Sequence, residues 1–396
     1  MHPQGLITPP PLAVYVHLPW CVRKCPYCDF NSHARNPALI PETDYLAALE
    51  ADLRQDLALL GPPRPVQSVF FGGGTPSLFS ASAIGQIIHS LRAHLPFAPD
   101  AEITLEANPG TFEQARFAGY REAGVNRLSL GIQSFNDRHL KSLGRIHGGS
   151  EALRAAHAAR ELGFSGLNLD LMYGLPGQTE TEALEDVDQA LALNPNHLSH
   201  YQLTLEPNTP FAIRPPTLPV GETLWRMERR CRVRLARAGF RQYEVSAFAR
   251  PGHACRHNLN YWTFGDYLGL GAGAHGKLTD PGSGQIWRTR KHAHPQRYLA
   301  TAKGPERLAE HAAVAPMMRP LEFLMNALRL TDGFRPELYA RRTGLDPGAL
   351  LGKLAPALTD GLLRLQGGSL MPTPRGMALV NELLLPFLGD ESSPSA

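Results

Sequence analysis

The sequence predicts an α/β fold, a partial (β/α)6 barrel joined to a smaller C-terminal domain that is helical and winged-helix-like. Three observations predict it. Six short β-rich runs alternate with longer helical patterns from Leu12 to about Thr204, a proline-rich break follows them, and beyond Gly304–Pro316 three short helical patterns precede a hairpin.

The β-rich runs are Ala13–His17, Ser68–Phe71, Glu102–Glu106, Arg127–Gln133, Leu167–Met172 and Leu198–Thr204. Helical stretches at Glu42–Leu59, Ala83–Leu95, Ser150–Leu162 and Thr181–Leu193 lie between them, and Thr179 with Glu182 three residues on forms a capping box that opens the last. Consecutive units with right-handed crossovers curl into an open or partial barrel, with ligands at the carboxyl ends of its strands. Pro207, Pro210, Pro215, Pro216 and Pro219 break residues 205–225. The expected division is therefore a barrel over 1–225, a continuation and connecting region over 226–310, and a C-terminal domain over 311–396. In that last domain Leu321–Leu328, Pro336–Thr343 and Gly348–Leu358 read as helices, and Leu362–Leu370 reads as a hairpin turning at Gly367-Gly368. Pro356 is expected to end or kink the third helix. Residues 319–389 carry eight basic and six acidic side chains without a basic stripe, which favours a structural or partner-docking module over a DNA reader.

Composition narrows the classes. The chain has 396 residues, 43% hydrophobic and 19% charged, with a net charge of +3, so nothing argues for nucleic acid as a partner. The proline-rich start, Met1 to Leu12, lacks a signal-peptide pattern, and no apolar run approaches the roughly 20 residues of a membrane helix. The expected compartment is the cytoplasm. Five cysteines, three of them within eight positions, suit metal ligation in a reducing compartment better than disulfides.

Those three are Cys21, Cys25 and Cys28, in a Cys-x3-Cys-x2-Cys loop directly after the first strand. Three thiolates can hold three irons of a [4Fe–4S] cubane and leave the fourth iron open. A zinc site completed by His33 is the rival reading of the same spacing. Gly72-Gly73-Gly74-Thr75 ends the second strand, where glycines let a ligand approach the backbone and exposed amides can donate to it. Glu106, Gln133 and Asp170 stand at or near the ends of apolar strands, where a carboxylate commonly meets a ribose, and Arg145 is placed to pair with a ligand carboxylate.

Taken together, Tyr15-Val-His-Leu-Pro19, the cysteine loop with Tyr27, Gly72-Gly-Gly-Thr-Pro-Ser77, Asn126-Arg-Leu-Ser-Leu-Gly-Ile-Gln133 and Asp170-Leu-Met-Tyr-Gly-Leu-Pro176 resemble oxygen-independent coproporphyrinogen III oxidase and its radical SAM relatives. The resemblance runs from about residue 12 to 388 and includes Thr373-Pro-Arg-Gly376. It implies a radical SAM barrel whose cluster is held by Cys21, Cys25 and Cys28 with Tyr15 and Tyr27 nearby. It further implies that Gly73, Gly74, Thr75, Glu106, Gln133, Arg145 and Asp170 contact S-adenosylmethionine, with Thr204 doing so through its backbone. An electron from such a cluster breaks a carbon–sulfur bond of S-adenosylmethionine.

Within these relatives the chain is more similar to HemW-type haem chaperones than to the decarboxylating oxidase. The oxidase has a further cysteine two positions past the third, where this chain has Phe30, and a long arm before the cluster, where this chain has 20 residues. His257-Asn258-Leu-Asn-Tyr261 resembles the chaperones' His-Asn-x-x-Tyr haem motif, with His257 as axial ligand and Tyr261 beside it. The implied partners are haem, an acceptor haem protein associated with a membrane, and an electron donor for the cluster.

Overall fold

The computed structural model describes residues 9–109 and 114–388. The six expected strands form: β1 (Leu12–Leu18), β2 (Val66–Gly73), β3 (Phe97–Ala107), β4 (Arg127–Gln133), β5 (Gly166–Tyr173) and β6 (His197–Gln202). They lie in sequence order and pair in parallel, each with the next. Helices α1 (Glu42–Asp56), α2 (Ala81–His94), α3 (Gln114–Glu122), α4 (Asp137–Ser142), α5 (Gly149–Glu161) and α6 (Glu180–Ala192) fill the crossovers. Thr179 and Glu182 make both bonds of the capping box. The apolar residues Val14, Val16, Val69, Phe71, Ile103, Leu105, Leu128, Leu130 and Leu169 face these helices and form the main core. The alternate positions face inward and are largely polar, which is what makes room for a site.

The segment read as a continuation and connecting region carries further strands of the same sheet. After α7 (Gly221–Arg237), the short strands β7 (Arg241–Gln242) and β8 (Ala247–Ala249) extend the sheet antiparallel beyond β6. The chain then crosses through α8 (Arg256–Trp262) and returns at the opposite edge as β9 (Asp266–Leu270), parallel to β1. A meander of β10 (His275–Thr279), β11 (Ile286–Lys291) and β12 (Leu308–Ala313) follows, and α9 (Pro295–Thr301) packs on α1. Among the described residues the sheet thus has twelve strands and stays open between β7 and β12.

A buried ion cluster ties this outer meander to the barrel. Lys291 at the end of β11 bonds Asp52 and Asp56 of α1, Arg307 donates to Asp56 at 2.8 Å, and Tyr298 donates to Asp52 at 3.0 Å.

A second core, around Phe264, Val314, Phe323, Leu324, Phe334 and Leu354, belongs to the C-terminal helices α10 (Arg319–Ala327), α11 (Pro336–Thr343) and α12 (Pro347–Thr359) with their hairpin. The hairpin turns at Gly367 (φ 58°) and Gly368 (φ 79°), the paired positive angles of a two-residue turn. Pro356 does not end α12. It lies in the last turn, where its missing N–H removes a single bond, and its own carbonyl accepts from Asp360 at 2.8 Å.

Candidate functional site

The cysteine loop leaves β1 and folds back so that Trp20–Cys21 pairs with His33–Ala34. Cys28 N donates to Cys25 O at 3.1 Å, closing the turn between two of the thiols. Tyr27 packs beside Phe211 and the buried Leu143, Met172 and Leu203, which anchors the middle of the loop. Burial raises the Cys21 thiol above its ordinary range. Among the described residues, no three His, Cys, Asp or Glu side chains converge on one ion position, the three loop thiols included.

The glycines at the end of β2 are also required by packing within the chain. A Cβ on Gly72 would lie 3.0 Å from the Tyr15 ring, one on Gly73 (φ +118°) 2.7 Å from the His17 ring, and one on Gly74 2.4 Å from Trp20 O. They are bare because β1 and the cysteine loop press against them. Tyr15 donates to His17 Nδ1 at 3.0 Å, and His17 Nε2 donates to Asn31 O at 2.8 Å; burial holds that ring neutral with a pKa of about 4.

Around this wall the sequence-predicted residues converge. Cys21, Cys25, Cys28, Tyr27, Gly73, Gly74, Thr75, Glu106, Gln133, Arg145, Asp170 and Thr204 all line one cavity of about 680 Å³, within the usual range for a small-ligand site. Tyr15 borders it through Gly72 and Glu106. Arg145 donates to Cys25 Sγ at 3.8 Å and to Gly131 O at 2.8 Å, while its Nε is buried with no partner among the described residues. Asp170 accepts from Asn168 at 2.7 Å and Ser129 at 3.3 Å. Burial, reinforced by Asp170, pushes Glu106 up to about 8; burial also raises Asp170. Gln133 holds φ +69°, rare for a residue with a side chain, and accepts from Tyr201 at 2.6 Å. Thiols for a cubane with the Arg145 guanidinium beside Cys25, and the carboxylates of Glu106 and Asp170 in the same cavity, fit a cluster together with a polar nucleoside ligand.

Asn108, Tyr201 and Ser129 were missed by the sequence reading. Asn108 bridges Thr75 and Arg145, and Tyr201 and Ser129 orient Gln133 and Asp170. The only signal for Asn108 was its place two residues past Glu106 at the same strand end.

His257 and Tyr261 are not part of that cavity lining. They sit on α8, which plugs the floor of the barrel beneath it. His257 is 1% exposed and stacks on Phe70 with ring centroids 5.0 Å apart. Its Nδ1 meets Ser68 Oγ and its Nε2 meets Tyr261 OH, each at 3.1 Å. Burial drives the ring down to about 3, so it is neutral with both nitrogens engaged. Haem could reach it only after α8 released both bonds. Cys255, also in the floor, donates to Glu102 at 3.4 Å, and Cys231 is buried against the Ala183 carbonyl.

Known proteins resemble this chain in sequence and in fold. The model of the radical SAM superfamily matches residues 15–190, and that of the HemN C-terminal domain matches residues 315–379. A protein of Haemophilus influenzae named "Heme chaperone HemW" is 48% identical over 385 residues, covering 96% of this chain and 99% of its own. The protein of the same name from Escherichia coli is 48% identical over 381 residues with the same coverage, and that of Mycobacterium tuberculosis H37Rv is 37% identical over 391 residues, covering 96% and 95%. Among solved structures, coproporphyrinogen III oxidase (HemN) of Escherichia coli superposes with a TM-score of 0.79 at 24% identity, covering 96% of this chain and 90% of that one, a likeness of fold.

Proposed function

Because the chain belongs to the haem chaperone HemW family of radical SAM proteins, we propose that it binds haem and passes it to an acceptor haem protein, carrying a [4Fe–4S] cluster and S-adenosylmethionine. The observation that carries this reading is 48% identity over 96% of the chain, spanning both the barrel and the C-terminal domain.

Cys21, Cys25 and Cys28 hold the cluster. When bound, it supplies a one-electron reductant and an open iron for the amino and carboxylate groups of S-adenosylmethionine. Around that ligand, Arg145 faces carboxylate charge, and Glu106 and Asp170 accept from hydroxyl or ammonium donors. Gly73, Gly74 and Thr75 form the wall against which it rests, with Gln133 and Thr204 at the rim. Tyr15 and Tyr27 shield the cluster side from water. His257 and Tyr261 act as a haem contact only in a state where α8 has opened. The acceptor is membrane-associated and delivery takes place from the cytoplasm, a compartment that suits three free thiols in one loop. No helix among the described residues is long and apolar enough to cross a membrane.

The test is to incubate anaerobically reconstituted protein separately with haem and with coproporphyrinogen III. Retention of haem without formation of protoporphyrinogen is the expected result. Protoporphyrinogen formed at the rate of a true oxidase would overturn the reading.

A further inference from the structure

Three buried side chains outside the cavity form a hydrogen-bonded line from Asp170 to the helix that plugs the floor. Asn168, two residues before Asp170 on β5, donates through Nδ2 to Asp170 Oδ1 at 2.7 Å and to Ser129 Oγ at 2.8 Å. Its Oδ1 is 2.6 Å from Nδ1 of His197, the first residue of β6, and His197 Nε2 is 2.9 Å from Tyr243 OH. That hydroxyl accepts the backbone N–H of Cys255, the residue immediately before α8, at 3.3 Å. Asn168, His197 and Tyr243 are all buried, and none of them lines the cavity.

The hydrogens of this line have one consistent direction. A carboxylate at Asp170 only accepts, so the Asn168 amide N–H groups face it and the amide oxygen faces His197. His197 Nδ1 therefore carries the ring proton and Nε2 keeps its lone pair. Tyr243 donates to that lone pair while it accepts from Cys255. Burial, with Arg127 nearby, drives the His197 ring far below its ordinary range and keeps it neutral. Each donor is thus polarised by the one behind it, and the line ends on Asp170. Its other end moves with α8. Glu102 holds the same turn, accepting from the Cys255 thiol at 3.4 Å and from the His257 N–H at 3.3 Å. When α8 leaves the floor, the Cys255 N–H leaves Tyr243, and the bond that fixes Asp170 weakens.

Resting on the reading of Asp170 as a contact of S-adenosylmethionine, we infer that His197 is a positioning residue for that carboxylate, and that the line through Asn168, His197 and Tyr243 couples cavity to floor, so that bound S-adenosylmethionine holds α8 shut. A ligand that draws on Asp170 binds the closed floor more tightly than the open one. By linkage, opening the floor to admit haem at His257 weakens S-adenosylmethionine by the same factor. Exchange of cargo at the floor and occupancy of the cavity then oppose each other.

The test uses full-length, cluster-reconstituted protein without reductant. Alkylation of the buried Cys255 by iodoacetamide, located by peptide mass mapping, reads opening of the floor, and the buried Cys231, against the Ala183 carbonyl, is the reference for opening elsewhere. Saturating S-adenosylmethionine should slow alkylation of Cys255 about fivefold or more and leave Cys231 unchanged. Tyr243→Phe removes only a hydroxyl and should abolish that protection. His197→Phe should abolish it too and weaken S-adenosylmethionine binding about fivefold by calorimetry. His197→Asn, which keeps an amide donor for Asn168 and loses the reach to Tyr243, should recover binding without recovering protection. If His197→Phe fails to load a cluster, Tyr243→Phe decides alone. Equal slowing of both cysteines in the unmodified protein, or protection of Cys255 that survives in Tyr243→Phe, would overturn the coupling. Unchanged affinity in His197→Phe, where Asp170→Ala binds weakly, would overturn the positioning role. Unchanged affinity in Asp170→Ala would instead remove the reading of the pocket on which the inference rests.

Discussion

Replacing Lys291 by methionine tests whether the meander is held to the barrel by charge. Lys291 is fully buried between Asp52 and Asp56, with Arg307 and Tyr298 completing the cluster. Two carboxylates and two cations balance there, so removing the lysine leaves one buried negative charge in excess. Asp56 keeps Arg307 at 2.8 Å, but Asp52 retains only Tyr298, the Gly271 N–H at 3.3 Å and a more distant Arg307 Nε at 3.7 Å. Breaking one side of a buried pair in this way costs about 3–5 kcal/mol. Burial already raises Asp52, and loss of its nearest cation raises it further, so the variant can relieve the charge by binding a proton. Because the folded state then holds a proton that the unfolded state has released, the loss is smallest near pH 5 and grows as pH rises. Adding Asp52→Asn to Lys291→Met removes the excess charge and should recover on the order of 1–4 kcal/mol. Urea unfolding of the three proteins at pH 5 and pH 8, followed by circular dichroism, gives these differences. A Lys291→Met protein within about 1 kcal/mol of the unmodified chain at pH 8, or a double variant less stable than the single one, would refute the reasoning.

Alanine at Cys21, Cys25 or Cys28 should abolish the broad visible absorption of the reconstituted protein, whereas Cys231→Ala, far from the loop and buried against α6, should keep it; equal iron in all four variants counts against the cluster assignment. Asp170→Ala in cluster-loaded protein should weaken S-adenosylmethionine binding without loss of iron, and calorimetry showing unchanged affinity would displace the nucleoside from the strand ends. Glu106 is raised by burial and by Asp170 from 4.5 to about 8. Its cost to stability therefore appears as pH rises from 4.5 towards 8 and is full above it. The melting temperature of metal-free Glu106→Gln, relative to the unmodified chain, should climb from pH 5 to pH 9, and a flat difference would show that the carboxyl ionises normally.

The barrel strands were legible because each is a short apolar run with its polar residue at the carboxyl end, and Glu106, Gln133 and Asp170 stand where such an end meets a cavity. The cysteine loop was legible because its ligands are local in sequence. Other features depend on distance in the chain. Asp266–Leu270 is a five-residue strand with a glycine inside it, and nothing local says that its partner is Leu12–Val16. Asn108 and Tyr201 gain their roles only when Arg145 and Gln133 arrive beside them. The Gly72–Gly74 run signalled close approach correctly, but the approaching groups are Tyr15, His17 and Trp20 of the same chain. His257 carries a recognisable motif, yet its enclosure by Ser68, Phe70 and Tyr261 arises from a crossing that sequence periodicity does not encode.

The placement of β9 beside β1 sets a timetable for synthesis. β1 emerges first, yet its second neighbour is not complete until Leu270. At ~5–20 residues per second the nascent chain waits on the order of ten seconds or longer with Leu12, Val14 and Val16 along an unpaired parallel edge. Such an edge is a template for intermolecular pairing, so the unfinished chain is open to mispairing for longer than a barrel closed by local hairpins would be. The same delay governs metal loading. The cysteine loop hangs directly from β1 and is fastened through Asn31 to Ala272 and Ala293, both made after β9 begins. Iron delivered earlier would meet three thiols on an unclamped loop, which places productive cluster insertion after Ala293 has been made.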